Sequence, residues 1–115
     1  MVLSSALVLV ACVNTAPQQS TLVYINSGAI QCGYEGKSGA ETATLLTEQN
    51  ITVSNTQCGH LSNIAVIAMC GSVATKINLH SIATADLTKA LSLGFESVDT
   101  LKQADNLGYD IGECL

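Results

Sequence analysis

The sequence has 115 residues, with four Lys and no Arg against nine acidic residues, which gives a net charge of −5. Charged residues make up 11% of the chain, against about 25% in an ordinary soluble domain, and the aromatic residues are three Tyr and one Phe. An acidic chain without Arg lacks the basic surface and the stacking side chains that bind nucleic acid, so this class of partner is excluded. The core must be aliphatic.

Residues 1–12 form an almost continuous apolar segment that contains only two serines as polar residues. The segment is shorter than the roughly 20 residues that span a bilayer, and it is typical of the apolar region of a signal peptide. Its last four residues, Leu-Val-Ala-Cys at positions 9–12, resemble the lipobox of bacterial lipoproteins. The resemblance implies cleavage before Cys12 and acylation of its thiol. The alternative is a buried N-terminal strand or helix in which Cys12 is structural.

The lipobox resemblance divides the chain into three parts. Residues 1–11 are the predicted signal peptide, and residues 12–20 are a lipidated tether that lacks apolar periodicity and contains the single proline, Pro17. Residues 21–115 are long enough for one domain and too short for two. The resemblance also implies a bacterial envelope protein that faces the periplasm or the cell surface, with the membrane as its partner through the acyl anchor.

The first half of the domain predicts a strand, a helix and a second strand. Residues 22–25 are β-branched and aromatic, and residues 51–54 alternate in polarity, so both favour strands. Between them Ser38 and Glu41 have the spacing of a capping box, which predicts a helix over residues 39–49. This order is typical of a parallel, right-handed β-α-β unit.

The second half predicts a loop, a central strand and its hairpin partner. Residues 57–63 are polar, and residues 64–70 are the most apolar stretch of the mature chain, which favours a strand buried on both faces. Residues 75–82 alternate in polarity and are expected to pair with that strand. The alternation places Ile77 and Leu79 inward and the following side chains outward: Lys76, Asn78 and His80.

A second helix is predicted to begin at Thr84 and to end at Gly94, with Phe95 as the apolar contact beyond its C-terminus. Residues 98–101 are consistent with a short edge strand. The resulting β-α-β-β-β-α order predicts an α+β fold with two helices on an open four-stranded mixed sheet. This order weakly resembles the core of glutaredoxins and thioredoxins, without their Cys-x-x-Cys motif and without a proline after Pro17.

Four cysteines follow Cys12, and an even number outside the cytoplasm favours two disulfides among them: Cys32, Cys58, Cys70 and Cys114. Parallel strands before Cys32 and Cys58 would bring these two residues to the same edge of the sheet. A strand over residues 64–70 would carry Cys70 about 20 Å away. The favoured pairing is therefore Cys32 with Cys58 and Cys70 with Cys114.

A structural metal site is the alternative use of these residues, since two thiols and two imidazoles form the ligand set of zinc: Cys58, His60, Cys70 and His80. Their spacing matches no usual zinc motif, and an oxidising compartment favours disulfides. No cofactor is predicted. No catalytic residues are predicted either, because the sequence has no Gly-x-Ser-x-Gly elbow.

These features predict a binding, accessory or structural module of the envelope. The alternative is a thiol- or metal-dependent periplasmic enzyme or sensor on a glutaredoxin-like core. The expected contact surface is the outward face of the strand at residues 75–82, which carries Lys76, Asn78 and His80. An open edge of this strand would pair with a protein partner or a second copy, unless residues 95–101 cover it.

Overall fold

A computed structural model describes residues 19–114, which form an α+β fold of five strands and two α-helices. The elements in chain order are β1 (Ser20–Asn26), α1 (Gly39–Thr47), β2 (Val53–Leu61), β3 (Lys76–Ala83), α2 (Leu87–Ser92), β4 (Glu96–Ser97) and β5 (Tyr109–Gly112). Two short 3₁₀ helices, Thr84–Asp86 and Val98–Leu101, precede α2 and follow β4. Cys12 and the predicted signal peptide and tether up to residue 18 lie outside the described residues.

The sheet has the strand order β4-β1-β3-β2-β5, and every neighbouring pair is antiparallel. β1 and β2 therefore run in the same direction on either side of β3, and α1 connects them across it. In the same way α2 connects β3 to β4 across β1. Two interleaved split β-α-β units of this kind form the ferredoxin-like arrangement, here with β5 added at one edge.

The α+β class, the two helices and the presence of disulfides are confirmed, but the predicted sheet is wrong in strand number and order. The structure has five antiparallel strands where a four-stranded mixed sheet was expected. The first two strands do share a direction, as the β-α-β rule requires, but β3 is inserted between them and takes the hydrogen bonds of both. The sequence therefore predicted the relative direction of the first two strands, but it did not predict which strands are neighbours in the sheet.

The predicted central strand at residues 64–70 is also wrong, because this segment is an exposed loop. The predicted polar loop at residues 57–63 is mostly strand, since β2 continues to Leu61. β2 therefore occupies the position beside β3 that the apolar segment was expected to fill. The strand predicted at residues 75–82 is confirmed as β3.

Local signals at the helices agree with the structure. The Ser38 Oγ accepts a hydrogen bond from the Glu41 backbone N–H at 3.1 Å, as the capping-box spacing predicted for that half of the motif. Thr84 begins a 3₁₀ turn that leads into α2, and Gly94 follows the helix with φ of +98°. None of the helices within residues 19–114 is long and apolar enough to cross a membrane.

The core lies between the two helices and the sheet. Its buried side chains come from both halves of the chain: Val23, Leu46, Ile51, Ile82, Ala90 and Phe95. Alternate residues of β3 point to the opposite face of the sheet, where Ile77 and Leu79 have no exposed area. β3 is therefore buried on both faces as well as hydrogen-bonded on both edges, and it forms the centre of the molecule.

Candidate functional site

The end of the sheet where β1 ends and β3 begins carries two long loops, residues 27–37 and 62–75, which we call the loop pole. The Cys32–Cys70 disulfide joins the two loops. Backbone hydrogen bonds add to it, because the Gln31 N–H donates to the Ser72 carbonyl and the Gly71 N–H donates to the Gln31 carbonyl, both at 3.0 Å. The two loops are thus held together as one unit.

The Gln31 side chain also fixes the path of the apolar segment. Its Nε2 donates to the Ile67 carbonyl at 3.0 Å, and its Oε1 accepts from the Met69 N–H at 3.1 Å. One amide side chain therefore satisfies two backbone groups of residues 64–70 that would have bonded to neighbouring strands in a sheet. Nothing in the sequence pattern distinguishes this glutamine from the others in the chain.

The loop pole exposes an unusual amount of apolar surface. Within residues 19–114, nine large hydrophobic side chains are exposed, and six of them lie on these two loops: Tyr34, Ile64, Val66, Ile67, Met69 and Val73. Single exposed apolar residues are normal, but a cluster on one surface marks a binding site more often than chance exposure does. Ile67 is the most exposed of the six, with 74% of its area accessible to solvent.

A groove of about 320 Å³ lies beside the protruding segment. Val66, Ala68 and Ala74 contribute apolar walls, and Lys76 and His60 bring polar groups to the same groove. These last two residues face each other in the register of β2 and β3. The groove suits an apolar group, with the two polar side chains available to solvent or to a partner.

The second polar feature of the molecule is internal. His80 on β3 is fully buried, and both of its ring nitrogens are hydrogen-bonded. Thr42 Oγ1 on α1 lies 2.7 Å from Nε2, and Thr56 Oγ1 on β2 lies 2.9 Å from Nδ1. Thr42 Oγ1 also lies 3.2 Å from the Gly39 carbonyl oxygen. A neutral imidazole donates through one nitrogen and accepts through the other, and a threonine hydroxyl can take either role, so each tautomer has a partner at both nitrogens. The neutral ring is therefore fully satisfied.

Burial lowers the pKa of His80 from its usual 6.5 to about 4. The edge of the Phe95 ring packs against the imidazole, with the ring centroids 6.0 Å apart. A neutral imidazole sealed among α1, β2 and Phe95 is a structural connection between the helix and the sheet. No side-chain nitrogen or oxygen that is buried within residues 19–114 lacks a hydrogen-bond partner.

All four predicted disulfide cysteines are bonded, but the favoured pairing is wrong. The structure pairs Cys32 with Cys70, and Cys58 with Cys114. The favoured pairing assumed a strand over residues 64–70, which would have carried Cys70 about 20 Å away from Cys58. That segment is instead part of the loop pole, where Cys70 bonds to Cys32. Cys58 is buried on β2, and its bond fixes the chain after β5 against the neighbouring strand.

The four residues of the metal hypothesis are not brought together. Cys58 and Cys70 belong to different disulfides, His80 is buried between two threonines, and His60 is exposed, with its ring over Gly112. Within the described part of the chain, no group of three or more His, Cys, Asp or Glu side chains is arranged to hold a metal ion.

The orientation predicted for the contact surface is wrong for two of its three residues. Asn78 and His80 point into the core, where Asn78 Nδ2 donates to the Lys37 carbonyl at 2.9 Å. β3 also has no open edge, because β1 and β2 pair with it on both sides. Only Lys76 reaches the surface near a groove. The polar alternation of β3 was interpreted as one solvated face, although both of its faces are covered.

The sequence matches no known protein family, and no curated protein and no solved structure is significantly similar to it. Residues 19–114 contain a buried polar cluster with complete hydrogen bonding around His80 and, at the loop pole, an exposed apolar surface that is cross-linked by a disulfide.

Proposed function

We propose that this protein is a small binding module of the bacterial cell envelope, anchored by lipid on Cys12 and stabilised by two disulfides. The observation that carries the proposal is the pairing of all four cysteines that follow Cys12. Disulfides persist in oxidising compartments and are rare in the cytoplasm. Each of the four has its partner among the other three, so Cys12 is left for the chemistry that its lipobox-like context suggests.

The architecture supports a binding role more than a catalytic one. The disulfides leave no thiol among these four cysteines, and the buried imidazole of His80 is sealed from solvent by Thr42, Thr56 and Phe95. The loop pole, by contrast, is exposed and cross-linked. A rigid apolar surface loses little conformational entropy on binding, which favours a role in recognition.

The anchor is tested by intact-mass measurement of the protein extracted from bacterial membranes after expression of the full chain. We expect a chain that begins at Cys12 and carries the added mass of acyl groups. The Cys12→Ser variant is the control and should keep its leader. An unmodified chain that begins at Met1 and is recovered in the soluble fraction would contradict the proposal.

The alternative proposal, a thiol- or metal-dependent enzyme or sensor, is separated by a thiol count. The unreduced protein is denatured in an alkylating agent, and the modified residues are located by mass spectrometry. The binding module predicts no labelling at the four paired cysteines. Labelling of Cys32 in a large fraction of the molecules would favour the thiol-dependent alternative.

A further inference from the structure

The exposed apolar residues of the loop pole form a protrusion and a cavity next to each other. Ile67 is the most exposed large hydrophobic side chain within residues 19–114, and the groove lined by Val66, Ala68 and Ala74 lies beside it. The groove volume of about 320 Å³ is sufficient for a branched aliphatic side chain. A surface that carries both halves of a contact can bind a copy of itself by two-fold symmetry, because each protrusion then meets the partner's groove.

The charge distribution favours the same occupant. Residues 61–75 contain no charged side chain, and the two loops together carry only one acidic and one basic residue, Glu35 and Lys37, whose charges cancel. The whole net charge of −5 is therefore carried by the rest of the molecule. Two copies repel each other through most of their surfaces, and the loop pole is where they can approach without that cost. An anionic bilayer would gain no net attraction from this surface.

A disulfide and several hydrogen bonds hold the loop pole in one conformation. The Cys32–Cys70 disulfide and the two side-chain hydrogen bonds of Gln31 hold the apolar segment in place before any partner arrives. A backbone hydrogen bond also joins the two loops here, because the Ala74 N–H donates to the Ala29 carbonyl at 2.9 Å. Preorganisation lowers the entropy lost in association.

We propose that two copies of this chain associate through their loop poles, with Ile67 of each copy entering the groove of the other. The association goes beyond the proposed function and does not depend on the lipid, because it uses residues of the two loops and of the adjoining ends of β2 and β3. The first described strand begins at the opposite end of the sheet from the loop pole, where Ser20 pairs with Ala83.

The test is photo-crosslinking of the full chain in bacteria, with a benzophenone amino acid at position 34, where it replaces an exposed tyrosine. A matched position is Glu48, which is exposed beyond the end of α1. We expect a crosslinked species of twice the chain mass from position 34 and none from position 48. Mass spectrometry of the product identifies what was captured.

Substitutions then locate the contact. Ile67→Asp should reduce the dimer by about tenfold or more, because it places a charge in an apolar groove. Met69→Asp is the second variant and should act in the same direction. Leu91→Asp, at an exposed apolar residue on α2, is the control and should leave the dimer unchanged. All variants are compared after their disulfides are verified.

Three outcomes would overturn the proposal. The first is the absence of a crosslinked dimer when the probe is at position 34, and the second is capture of lipid or of a different protein by that probe. The third is a dimer that persists in both Ile67→Asp and Met69→Asp. Processing at Cys12 is measured on the same samples by intact mass. A lipidated chain without a dimer therefore contradicts this inference alone, and a dimer without lipid contradicts only the proposed anchor.

Discussion

The two disulfides stabilise regions with opposite surroundings. Cys58 is buried on β2, and its bond to Cys114 holds the chain that follows β5 against the sheet. Cys32 and Cys70 are both exposed, and their bond joins two loops with little buried apolar area between them. The first bond supports a core that already exists, whereas the second maintains a surface that apolar packing alone would not hold.

This difference explains how an apolar segment remains exposed without collapsing. Residues 64–70 would gain free energy by burial, but their ends are fixed by the disulfide at Cys70 and by β2, and their middle is bonded to Gln31. The loop pole therefore keeps apolar side chains in solvent by covalent and hydrogen-bond constraint. Substitutions that compare the two regions test this account.

The largest effect is expected from removing the buried bond with Cys58→Ala and Cys114→Ala together. The bond closes a loop of 56 residues, and the chain-entropy model predicts a loss of roughly 4 kcal/mol in the free energy of unfolding. That is a large fraction of the about 5–15 kcal/mol that stabilises a typical domain. Chemical denaturation measures it.

The matched variant is Cys32→Ala with Cys70→Ala, whose bond closes 38 residues and has a similar entropic value of roughly 4 kcal/mol. The two variants should differ in their folded states. Because the two bonds have similar entropic values, exchange in β2 and β3 should accelerate by about the same factor in both variants, whereas residues 62–75 should become sensitive to protease only without the Cys32–Cys70 bond. A larger acceleration in β3 without the Cys32–Cys70 bond than without the Cys58–Cys114 bond would show that the loop pole supports the core after all.

The second largest effect concerns pH and the buried His80. Its pKa is lowered from 6.5 to about 4, so the unfolded chain binds a proton more readily than the folded chain between these values. The contribution of the neutral imidazole to the free energy of unfolding should therefore be fully present above pH 6.5. It should fall by roughly 3 kcal/mol as the pH drops towards 4. Denaturation at a series of pH values measures this slope.

His80→Gln removes the titrating group and should flatten the slope between pH 6.5 and 4. His60→Gln is the control, because it makes the same change at an exposed position and keeps His80 in place. Carboxylates contribute the same background to all three proteins. An unchanged slope in His80→Gln would mean that groups other than the buried imidazole determine the acid sensitivity.

A third comparison uses two glycines. A Cβ at Gly59 would collide with the backbone of Asp110 on β5, so Gly59→Ala should separate β2 from β5 and cost about 1–3 kcal/mol. A Cβ at Gly33, in the loop pole, would meet Ile30 Cγ2 at 3.8 Å, an ordinary contact. Gly33→Ala should change the free energy of unfolding by less than about 0.5 kcal/mol. Equal costs would show that β2 and β5 approach less closely than the structure indicates.

The sequence predicted what depends on near neighbours in the chain. The spacing of Ser38 and Glu41 specified the start of α1, and Gly94 specified the end of α2, because caps involve residues within one turn. The even number of cysteines after Cys12 predicted two disulfides. Their pairing required the strand order, which depends on contacts between distant segments.

The predictions for residues 64–70 and for His80 were wrong for opposite reasons. Residues 64–70 are apolar and were assigned to the core, but apolarity reports a preference for burial and not whether a partner strand is present. His80 is polar and was assigned to the surface, but it lies on a central strand with both faces covered. Thr56, opposite it in the register, and Thr42 supply the hydrogen bonds that make its burial acceptable. Neither threonine was distinguishable in the sequence.

The smallest expected effect compares the same substitution in both regions. Ile77 has no exposed area, so Ile77→Val should cost about 0.5–1.5 kcal/mol through the lost methylene and the space it leaves. Ile67 is 74% exposed, so Ile67→Val should change the free energy of unfolding by less than about 0.5 kcal/mol.

The measurement must be made at a dilution at which the chain is monomeric, because burial of Ile67 in a dimer would add a concentration-dependent term. A near-zero value that rises with protein concentration would connect the exposed side chain to association. A cost equal to that of Ile77→Val in the dilute monomer would show that Ile67 packs within its own chain, and the contrast between a supported core and a constrained surface would fail.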